Sequence, residues 1–252
     1  MKLLTLARDL QRRKARERHG LFVGEGVRVV EELQRSPVRV RALLHTPEAI
    51  GADRTAAAIE AIRAAGAEVV EVSERDFSSA AETESPQGVL AIAETPRWRL
   101  DDLIPGATIR LLVLDAVQDP GNVGTILRTA AALGASATLA LPGTVDLWNA
   151  KVVRSAMGAH FHHPASPCTR EELDGFCGRH GVAVWAADAA GEPVESLSPP
   201  PRLALVMGNE GAGIAAATRD RADHLVALPI AATVESLNVA VAAGILLHAL
   251  RR

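Results

Sequence analysis

LPIAATVESLNVAVAAGILLHAL, residues 228–250, places Glu235, Ser236 and Asn238 directly before nine residues that carry no charged or polar side chain. A helix built from such a run is apolar on nearly every side, so we expect it to be buried all round, either in the core of its own chain or against another subunit. The run is too short to span a membrane. Ser236 stands where a helix N-cap belongs, so capping is the first interpretation of its role.

Outside this segment, short apolar runs alternate with stretches of helical periodicity, which predicts an α/β fold of parallel strands covered by helices. In the first half the pattern predicts helices at 3–18, 26–34 and 54–65 and strands at 21–23, 38–44, 68–72 and 88–93. In the second half it predicts strands at 109–114, 136–141, 182–186, 203–206 and 225–227, helices at 122–133, 149–157, 170–179 and 236–250, and a proline-rich loop at 191–202.

A domain boundary is expected near residue 100. Residues 95–108 contain two prolines, a glycine and charged residues without periodicity. We therefore predict a smaller first domain at 1–95, a linker with some freedom at 96–108, and a second domain at 109–252.

Charge is unevenly distributed along the chain. Residues 1–41 carry 11 Lys and Arg against 5 Asp and Glu, a net charge of +6, and the remaining residues carry 16 against 25, a net charge of −9. A basic first segment favours contact with nucleic acid, and a solvated basic helix is the alternative that composition leaves open. The first 20 residues do not resemble a secretory leader and no apolar run is long enough for a membrane span, so we expect a cytoplasmic protein.

The loop LDAVQDPGNVGTILRTAAALGA, residues 114–135, follows a buried-looking strand and runs into a helix. Gly121 and Gly124 allow a tight turn, and Asn122 and Arg128 are polar side chains left at the turn and on the helix. The loop lacks the ending of an ATP-binding loop and the glycine spacing of a dinucleotide-binding turn. A glycine-capped helix start is the structural alternative to a ligand loop.

A second loop, LALVMGNEGAGI at 203–214, has three glycines within six residues, around Asn209 and Glu210. This density indicates unusual backbone angles or close approach to a ligand, with a flexible turn as the alternative. Because the carboxyl ends of parallel strands form the ligand-binding edge of open α/β sheets, we expect the loops after these strands to share one site.

The order and spacing of these three segments resemble those of the SpoU (TrmH) group of SPOUT RNA 2'-O-ribose methyltransferases. The matching elements are N-x-G-x-x-x-R at 122–128, G-x-E-x-x-G at 208–213 and S-L-N at 236–238. The sequence KVVRSAMGAHFHHP at 151–164 is also similar to the family's pattern. Residues 1–95 resemble the L30e-like substrate-binding domain, named after a ribosomal protein, that many such enzymes carry.

The resemblance implies a SPOUT-type parallel sheet with a C-terminal trefoil knot, S-adenosylmethionine as cofactor, and a homodimer. It implies RNA 2'-O-ribose methylation, with 23S ribosomal RNA expected as substrate because of the L30e-like domain and transfer RNA as the alternative. A non-catalytic RNA-binding or ribosome-assembly protein of the same fold is the second interpretation. A dinucleotide-dependent enzyme is the third, and the missing glycine fingerprint disfavours it.

The resemblance also implies roles for individual residues. The catalytic set would be Arg128, Asn122, Glu210, Ser236 and Asn238. The cofactor would be held, largely through backbone groups, by Gly208, Asn209, Gly211, Gly213, Leu228, Ile230 and Leu237. The side chains expected to contact RNA are Arg8, Arg12, Arg13, Lys14, Arg16 and Arg18.

Two of these roles have alternatives. Arginine stays protonated in proteins, so Arg128 is either a clamp on the target phosphate or a base that works by relay through a phosphate. Glu210 either contacts the substrate or holds the shape of the glycine loop.

No metal site is expected. His160, His162 and His163 form a ligand-rich pattern, but no acidic or cysteine partner lies at a recognised spacing. Cys168 and Cys177 lack the second pair that a zinc site requires, and we expect both to be free and structural.

Overall fold

A computed structural model describes residues 2–51, 53–83, 85–103 and 107–251. The described residues form two compact units. The first comprises the residues up to Pro96 together with Trp148–His162, and the second comprises Arg97–Leu147 and the residues from His163 onward. Within the described ranges, no helix has the length and apolar character that crossing a membrane requires.

This division differs from the predicted one in two places. Residues 148–162 pack with the first unit, although they follow the start of the second unit along the chain. In the predicted linker, Leu103 is buried and Trp98 and Leu100 pack against the core of the second unit, whereas residues 104–106 lie outside the described residues. Apolar side chains therefore attach residues 97–103 to the second unit instead of leaving them as a free connection.

The first unit is built around a four-stranded sheet. Its elements up to residue 94 are α1 (Lys2–Asp9), α2 (Arg13–His19), β1 (Leu21–Glu25), α3 (Val27–Arg35), β2 (Val40–His45), α4 (Asp53–Ala64), β3 (Glu68–Glu71), α5 (Glu74–Ser78) and β4 (Val89–Glu94). The strand order is β1-β4-β2-β3, with β4 antiparallel to both neighbours and β2 parallel to β3. The short α5 is absent from the sequence-based prediction.

The basic segment at the start forms two helices instead of the single helix predicted at 3–18. The guanidinium of Arg16 is buried at the break, where it donates to the carbonyl oxygens of Leu10 at 2.7 Å and Gln11 at 2.8 Å. These carbonyls follow the end of α1 at Asp9 and need a donor because the helix does not continue. Gly20, with φ of 63°, closes α2 in the left-handed conformation, as the sequence predicts.

The rest of the chain contributes a six-stranded sheet and its covering helices. The elements are β5 (Ile109–Leu114), α6 (Pro120–Ala132), β6 (Ala137–Ala140), α7 (Ala150–Ala156), β7 (Ala165–Pro167), α8 (Arg170–His180), β8 (Ala183–Pro193), β9 (Arg202–Met207), α9 (Ala216–Arg221), β10 (His224–Ala227) and α10 (Val239–Ala249). All of these except α7 belong to the second unit. The strand order is β10-β8-β9-β5-β6-β7, and every neighbouring pair is parallel, which confirms the predicted α/β class.

The last helix lies against α6. Gly244 makes this approach close, because a Cβ atom there would lie 3.2 Å from the Thr129 Cγ2 atom. At the far end, Arg110 donates to the carbonyl oxygens of Leu250 at 3.2 Å and Pro200 at 2.8 Å. The helix is not buried all round by its own chain, since Val241 and Ile245 are 51% and 45% exposed.

Candidate functional site

Side chains from three separate segments of the chain meet at the carboxyl edge of the second sheet. The Asn238 side-chain amide donates to Asn122 Oδ1 at 2.9 Å, and the Asn122 amide donates to Glu210 Oε1 at 3.1 Å. The structure thus brings together three of the five residues in the predicted catalytic set. Arg128 lies exposed on α6, six residues after Asn122, and it makes no hydrogen bond or ion pair within the part of the chain that the structure describes.

Asn122 is held by the start of α6. Asp119 is the N-cap and accepts a hydrogen bond from the Asn122 backbone amide at 2.7 Å, with Pro120 at the first helical position. Both residue types are favoured at these positions, because the cap satisfies a free helix amide and proline has no amide to satisfy. The helix therefore starts two residues before the predicted position and fixes the Asn122 side chain at its first turn.

The Glu210 carboxylate accepts hydrogen bonds from the backbone amides of Gln118 at 3.2 Å and Asp119 at 3.1 Å, in addition to the bond from Asn122. Partial burial alone would raise the pKa of Glu210, but the Asn122 side chain and the backbone amides outweigh it and hold this pKa below its ordinary value. Glu210 is therefore ionised at neutral pH, and it joins the glycine loop to the loop after β5.

The glycine loop is shaped by the side chain of Asn209. Its amide donates to the Ala116 carbonyl at 2.8 Å, and its Oδ1 atom accepts from the amides of Gly211 at 3.0 Å and Ala212 at 2.9 Å. The backbones of Asn209 and Gly213 also exchange two hydrogen bonds, at 2.8 and 3.0 Å. The loop is thus a closed turn that is hydrogen-bonded to the loop after β5, and not a flexible connection.

Gly208 is required by this turn. A Cβ atom at Gly208 would lie 2.3 Å from the carbonyl carbon of Gly213 and 2.4 Å from the amide nitrogen of Ile214. No side chain fits there, because both neighbours are backbone atoms. Gly213 itself has φ of 68°, a left-handed conformation that glycine adopts readily.

A cavity of about 580 Å³ opens beside these loops. All seven residues predicted to hold the cofactor line it, together with Glu210, Ser236 and Asn238 from the catalytic set. Ala187, Asp188 and Ala189 also line the cavity, from the part of β8 that continues past the predicted strand at 182–186, and they were not among the predicted site residues. Because ligands bind at the carboxyl ends of parallel strands, the end of the predicted strand at 182–186 was a signal that could have identified these residues.

The N-cap of α10 is Asn238, and the assignment of this role to Ser236 was wrong. The Oδ1 atom of Asn238 accepts from the backbone amides of Ala240 at 2.9 Å and Val241 at 3.3 Å. Because α10 begins at Val239, only the residue directly before it reaches these amides. One asparagine therefore caps the helix with its oxygen and contacts Asn122 with its nitrogen.

A buried carboxylate lies beneath the loops. Asp115, at the end of β5, accepts hydrogen bonds from the Ala215 amide at 3.1 Å and the Thr218 hydroxyl at 2.5 Å, and it is paired with Arg170 at 3.2 Å. Its own amide donates to the Met207 carbonyl at 2.8 Å. Asp115 thus holds both ends of the glycine loop, a role that the sequence does not indicate.

The predicted RNA-contacting side chains of the first unit differ in availability. Arg16 is buried and bonded to backbone carbonyls, so its assignment to RNA contact is corrected. Arg8 is paired with Asp76 at 3.4 Å and contacts Ser79, and Arg13 is paired with Glu17 at 2.7 Å. The remaining three are exposed, namely Arg12, Lys14 and Arg18.

The three histidines of the 151–164 segment lie in different environments. His160 is buried and stacks on Trp148 with ring centroids 4.0 Å apart. His163 Nε2 lies 2.8 Å from the Thr138 hydroxyl, and burial lowers the pKa of His163 to about 4. His162 is exposed. Among the described residues, no three His, Cys, Asp or Glu side chains are grouped closely enough to hold a metal ion.

The two cysteines are free thiols in the core of the second unit. Burial raises the pKa of Cys168 to about 12 and that of Cys177 to about 11, with neighbouring acidic groups adding to both shifts. Both thiols are therefore protonated at neutral pH and unreactive, as expected for structural cysteines.

Comparison with known proteins gives two family matches. The SpoU rRNA methylase family matches residues 110–248, and an MRM3-like substrate binding domain matches residues 5–91. The 23S rRNA (guanosine(2553)-2'-O)-methyltransferase RlmP of Bacillus subtilis is 38% identical over 249 residues, which cover 97% of this chain and 94% of that protein.

Two solved structures are similar over nearly the whole chain. The AdoMet-bound rRNA methyltransferase from Sinorhizobium meliloti has a TM-score of 0.85 and 31% identity, covering 98% of this chain and 93% of that one. The SpoU methyltransferase AviRb from Streptomyces viridochromogenes, in complex with AdoMet, has a TM-score of 0.89 and 28% identity, covering 99% and 96%.

Proposed function

The chain belongs to the SpoU rRNA methylase family, and we propose that it transfers a methyl group from S-adenosylmethionine to a ribose 2'-hydroxyl of 23S ribosomal RNA. The observation that carries the proposal is the hydrogen-bonded set of Asn122, Glu210 and Asn238 at the edge of the 580 Å³ cavity. These three residues come from the three sequence elements in which the family resemblance lies.

The cavity fits the cofactor in size and chemistry. Pockets for ligands of this size enclose about 300–1,000 Å³ and combine apolar walls with a few polar groups. Leu228, Ile230 and Leu237 supply apolar wall for an adenine ring, and Gly208 lets backbone approach where a side chain would not fit. Asn209, Gly211 and Gly213 complete the residues that would hold it. When bound, S-adenosylmethionine supplies an electrophilic methyl group.

The chain's own part in the reaction is to orient the 2'-hydroxyl and help it lose its proton. Asn122, Glu210 and Asn238 form a rigid polar wall, since each is fixed by a helix start or by backbone amides. Such preorganisation stabilises developing charge without reorganisation during the reaction. Ser236 lines the same cavity and would contribute a hydroxyl to this wall.

Arg128 would clamp the target phosphate. It lies about 9 Å along the axis of α6 from Asn122, given the rise of a helix, and it is exposed and unpaired within the described residues. A free guanidinium binds phosphate in a bidentate fashion that lysine does not reproduce. Arg128→Lys should therefore lower the rate of methyl transfer, and a pH-rate profile equal to wild type in shape and height would remove any role for the planar group.

The first unit would supply contacts to the RNA backbone. Arg12, Arg13, Lys14 and Arg18 reach solvent on or beside α2, and basic side chains provide the salt-dependent part of RNA affinity. The match to an MRM3-like substrate binding domain supports this assignment. With ribosomal RNA as substrate, the protein would act in the cytoplasm.

We further propose a homodimer formed through α10, with the C-terminal segment tied in a trefoil knot, as family membership implies. Support for the interface comes from the exposed apolar side chains of α10, Val241 and Ile245, and from Val234 and Leu237 just before it. Exposed apolar surface of this kind marks interaction sites.

The test is transfer of labelled methyl from S-adenosylmethionine to unmodified 23S ribosomal RNA and, separately, to transfer RNA, with Arg128→Ala in parallel and mapping of the modified ribose. Label on one 23S ribose, lost in the variant, is the expected result. Label on transfer RNA alone would show that transfer RNA, and not 23S ribosomal RNA, is the substrate. RNA binding without cofactor binding would favour a non-catalytic RNA-binding protein.

A further inference from the structure

Glu235 belongs to the polar triplet before α10, yet the proposed function gives it no role. It lies in the wall of the cavity, and so does Asp188 from the middle of β8. With Glu210, three carboxylates line the cavity, and the described residues that line it include no Lys, Arg or His. The wall is therefore formally anionic.

Nearby positive charge offsets only part of this negative charge. Asp188 is paired with Arg219, whose side chain is 44% exposed and is not part of the wall. Glu235 makes no ion pair among the described residues, and Glu210 is stabilised in its ionised form by the Asn122 side chain and by backbone amides. The amino end of α10 contributes roughly half a positive charge, against two carboxylates without a basic partner.

We infer that the unpaired carboxylate of Glu235, beside that of Glu210, makes this cavity selective for the cationic cofactor over its neutral product. The inference rests on the proposed function. S-adenosylmethionine carries a sulfonium charge that S-adenosylhomocysteine lacks, because methyl transfer leaves a neutral thioether. An anionic wall therefore favours the cofactor electrostatically and releases the product, whereas the apolar and backbone contacts are shared by both molecules.

The expected selectivity is moderate. Charges a few ångströms apart near a protein surface interact strongly enough that one carboxylate changes the affinity for a cation by roughly threefold to tenfold. The cavity is open to solvent, so the lower part of this range applies. Added salt should reduce the preference, because exposed charges are screened.

Calorimetric titration of the full chain tests the inference with S-adenosylmethionine, S-adenosylhomocysteine and sinefungin, an analogue in which an amine-bearing carbon replaces the sulfonium. Wild type should bind the two cationic ligands at least threefold more tightly than S-adenosylhomocysteine. Glu235→Gln should narrow that ratio, and Asp188→Asn should change it less, because Arg219 already offsets the charge of Asp188. Glu195→Gln, which removes an exposed carboxylate of the same unit that is not in the cavity wall, should leave the ratio unchanged.

Equal wild-type affinities for the three ligands would overturn the inference while leaving the proposed function intact. Variants that weaken all three ligands by the same factor would overturn it as well, because they would show a structural role without charge discrimination. If wild type bound none of the ligands, the proposed function itself would fail.

Discussion

Gly208 and Gly211 lie in the same loop and line the same cavity, but the structure predicts opposite effects of adding one methyl group to each. In Gly208→Ala the new Cβ atom would meet the Gly213 carbonyl carbon at 2.3 Å and the Ile214 nitrogen at 2.4 Å. In Gly211→Ala the nearest atom would be Asn209 Oδ1 at 3.8 Å, which is ordinary contact, and Gly211 does not have a positive φ.

The magnitude for Gly208→Ala follows from these distances. Nonbonded carbon atoms prefer separations of about 3.5–4.0 Å, so the backbone at Gly213 must retreat by about 1 Å or more. Two backbone hydrogen bonds between Asn209 and Gly213 resist this movement. Overpacking of this kind costs about 1–3 kcal/mol, and displacement of about 1 Å at a catalytic site lowers rates by about 100-fold. Gly211→Ala should be neutral, or stabilising by up to about 1 kcal/mol through the unfolded chain.

The assay combines calorimetric Kd for S-adenosylmethionine, thermal unfolding, and methyl transfer at saturating RNA. Gly208→Ala should raise the Kd by at least about tenfold, which corresponds to about 1.4 kcal/mol, and lower the rate further. Gly211→Ala should keep wild-type thermal stability and lose much less cofactor affinity and rate than Gly208→Ala, because its methyl group meets no backbone atom within 4 Å. Wild-type cofactor affinity in Gly208→Ala, or equal losses in the two variants, would refute the argument that close backbone packing at Gly208 shapes the cofactor site.

Four other changes test separate parts of the structure. Burial lowers the pKa of His163 to about 4 from 6.5, so the unfolded chain takes up this proton at a higher pH than the folded protein, and the free energy of unfolding should fall by up to about 3 kcal/mol as pH drops from 6.5 to 4. Denaturant titrations of His163→Gln should show a smaller fall with pH, and a fall equal to that of wild type would contradict the lowered pKa of His163. Asp115→Asn should lower the free energy of unfolding by about 2–3 kcal/mol, because it weakens a buried ion pair, whereas Asp101→Asn, at the exposed pair with Arg179, should lower it by less than about 1 kcal/mol. Equal losses in denaturant titrations would contradict the structural role of Asp115. Arg16→Ala should lower the melting temperature without weakening RNA binding in the folded protein, and Lys14→Ala should do the reverse; a filter-binding loss in Arg16→Ala larger than in Lys14→Ala would restore Arg16 as an RNA contact. Val241→Asp should yield monomers in sedimentation experiments where wild type dimerises, whereas Ile50→Asp, at an exposed apolar residue outside α10, should remain dimeric. Dimers in both variants would show that α10 does not form the interface.

Local signals in the sequence were sufficient for much of the fold. Gly20 closes α2 where its conformational freedom predicts, and the apolar run at 109–114 is strand β5 with the predicted bounds. The α6 helix starts two residues before the predicted residue 122, because Gly121 and Gly124 led us to expect a tight turn there. Asp119 followed by Pro120 was the better signal, since both types are favoured at the first positions of a helix.

Tertiary structure decided what the sequence did not show. Arg16 belongs to a basic helical pattern that predicts an exposed side chain. It is buried because the break between α1 and α2 leaves two carbonyl oxygens, to which its guanidinium donates hydrogen bonds. The strand β7 has three residues, too few for a period to be recognised. Asp188 reaches the cavity because β8 lies between β9 and β10, and strand order is a property of the whole sheet that no local pattern encodes.

The hydrogen bonds among the loops imply that cofactor and substrate groups are not independent. The Glu210 carboxylate accepts hydrogen bonds from backbone amides of the loop after β5 and from the Asn122 side chain. Asn122 in turn accepts a hydrogen bond from Asn238, the N-cap of α10. Asp115 holds the glycine loop from below. Groups bonded in this way show interaction energies of about 0.5–3 kcal/mol in double-mutant cycles. Loss of Asn238 should therefore disturb cofactor binding through Glu210 as well as the helix start, so the three family motifs act as one polar network instead of three separate contacts.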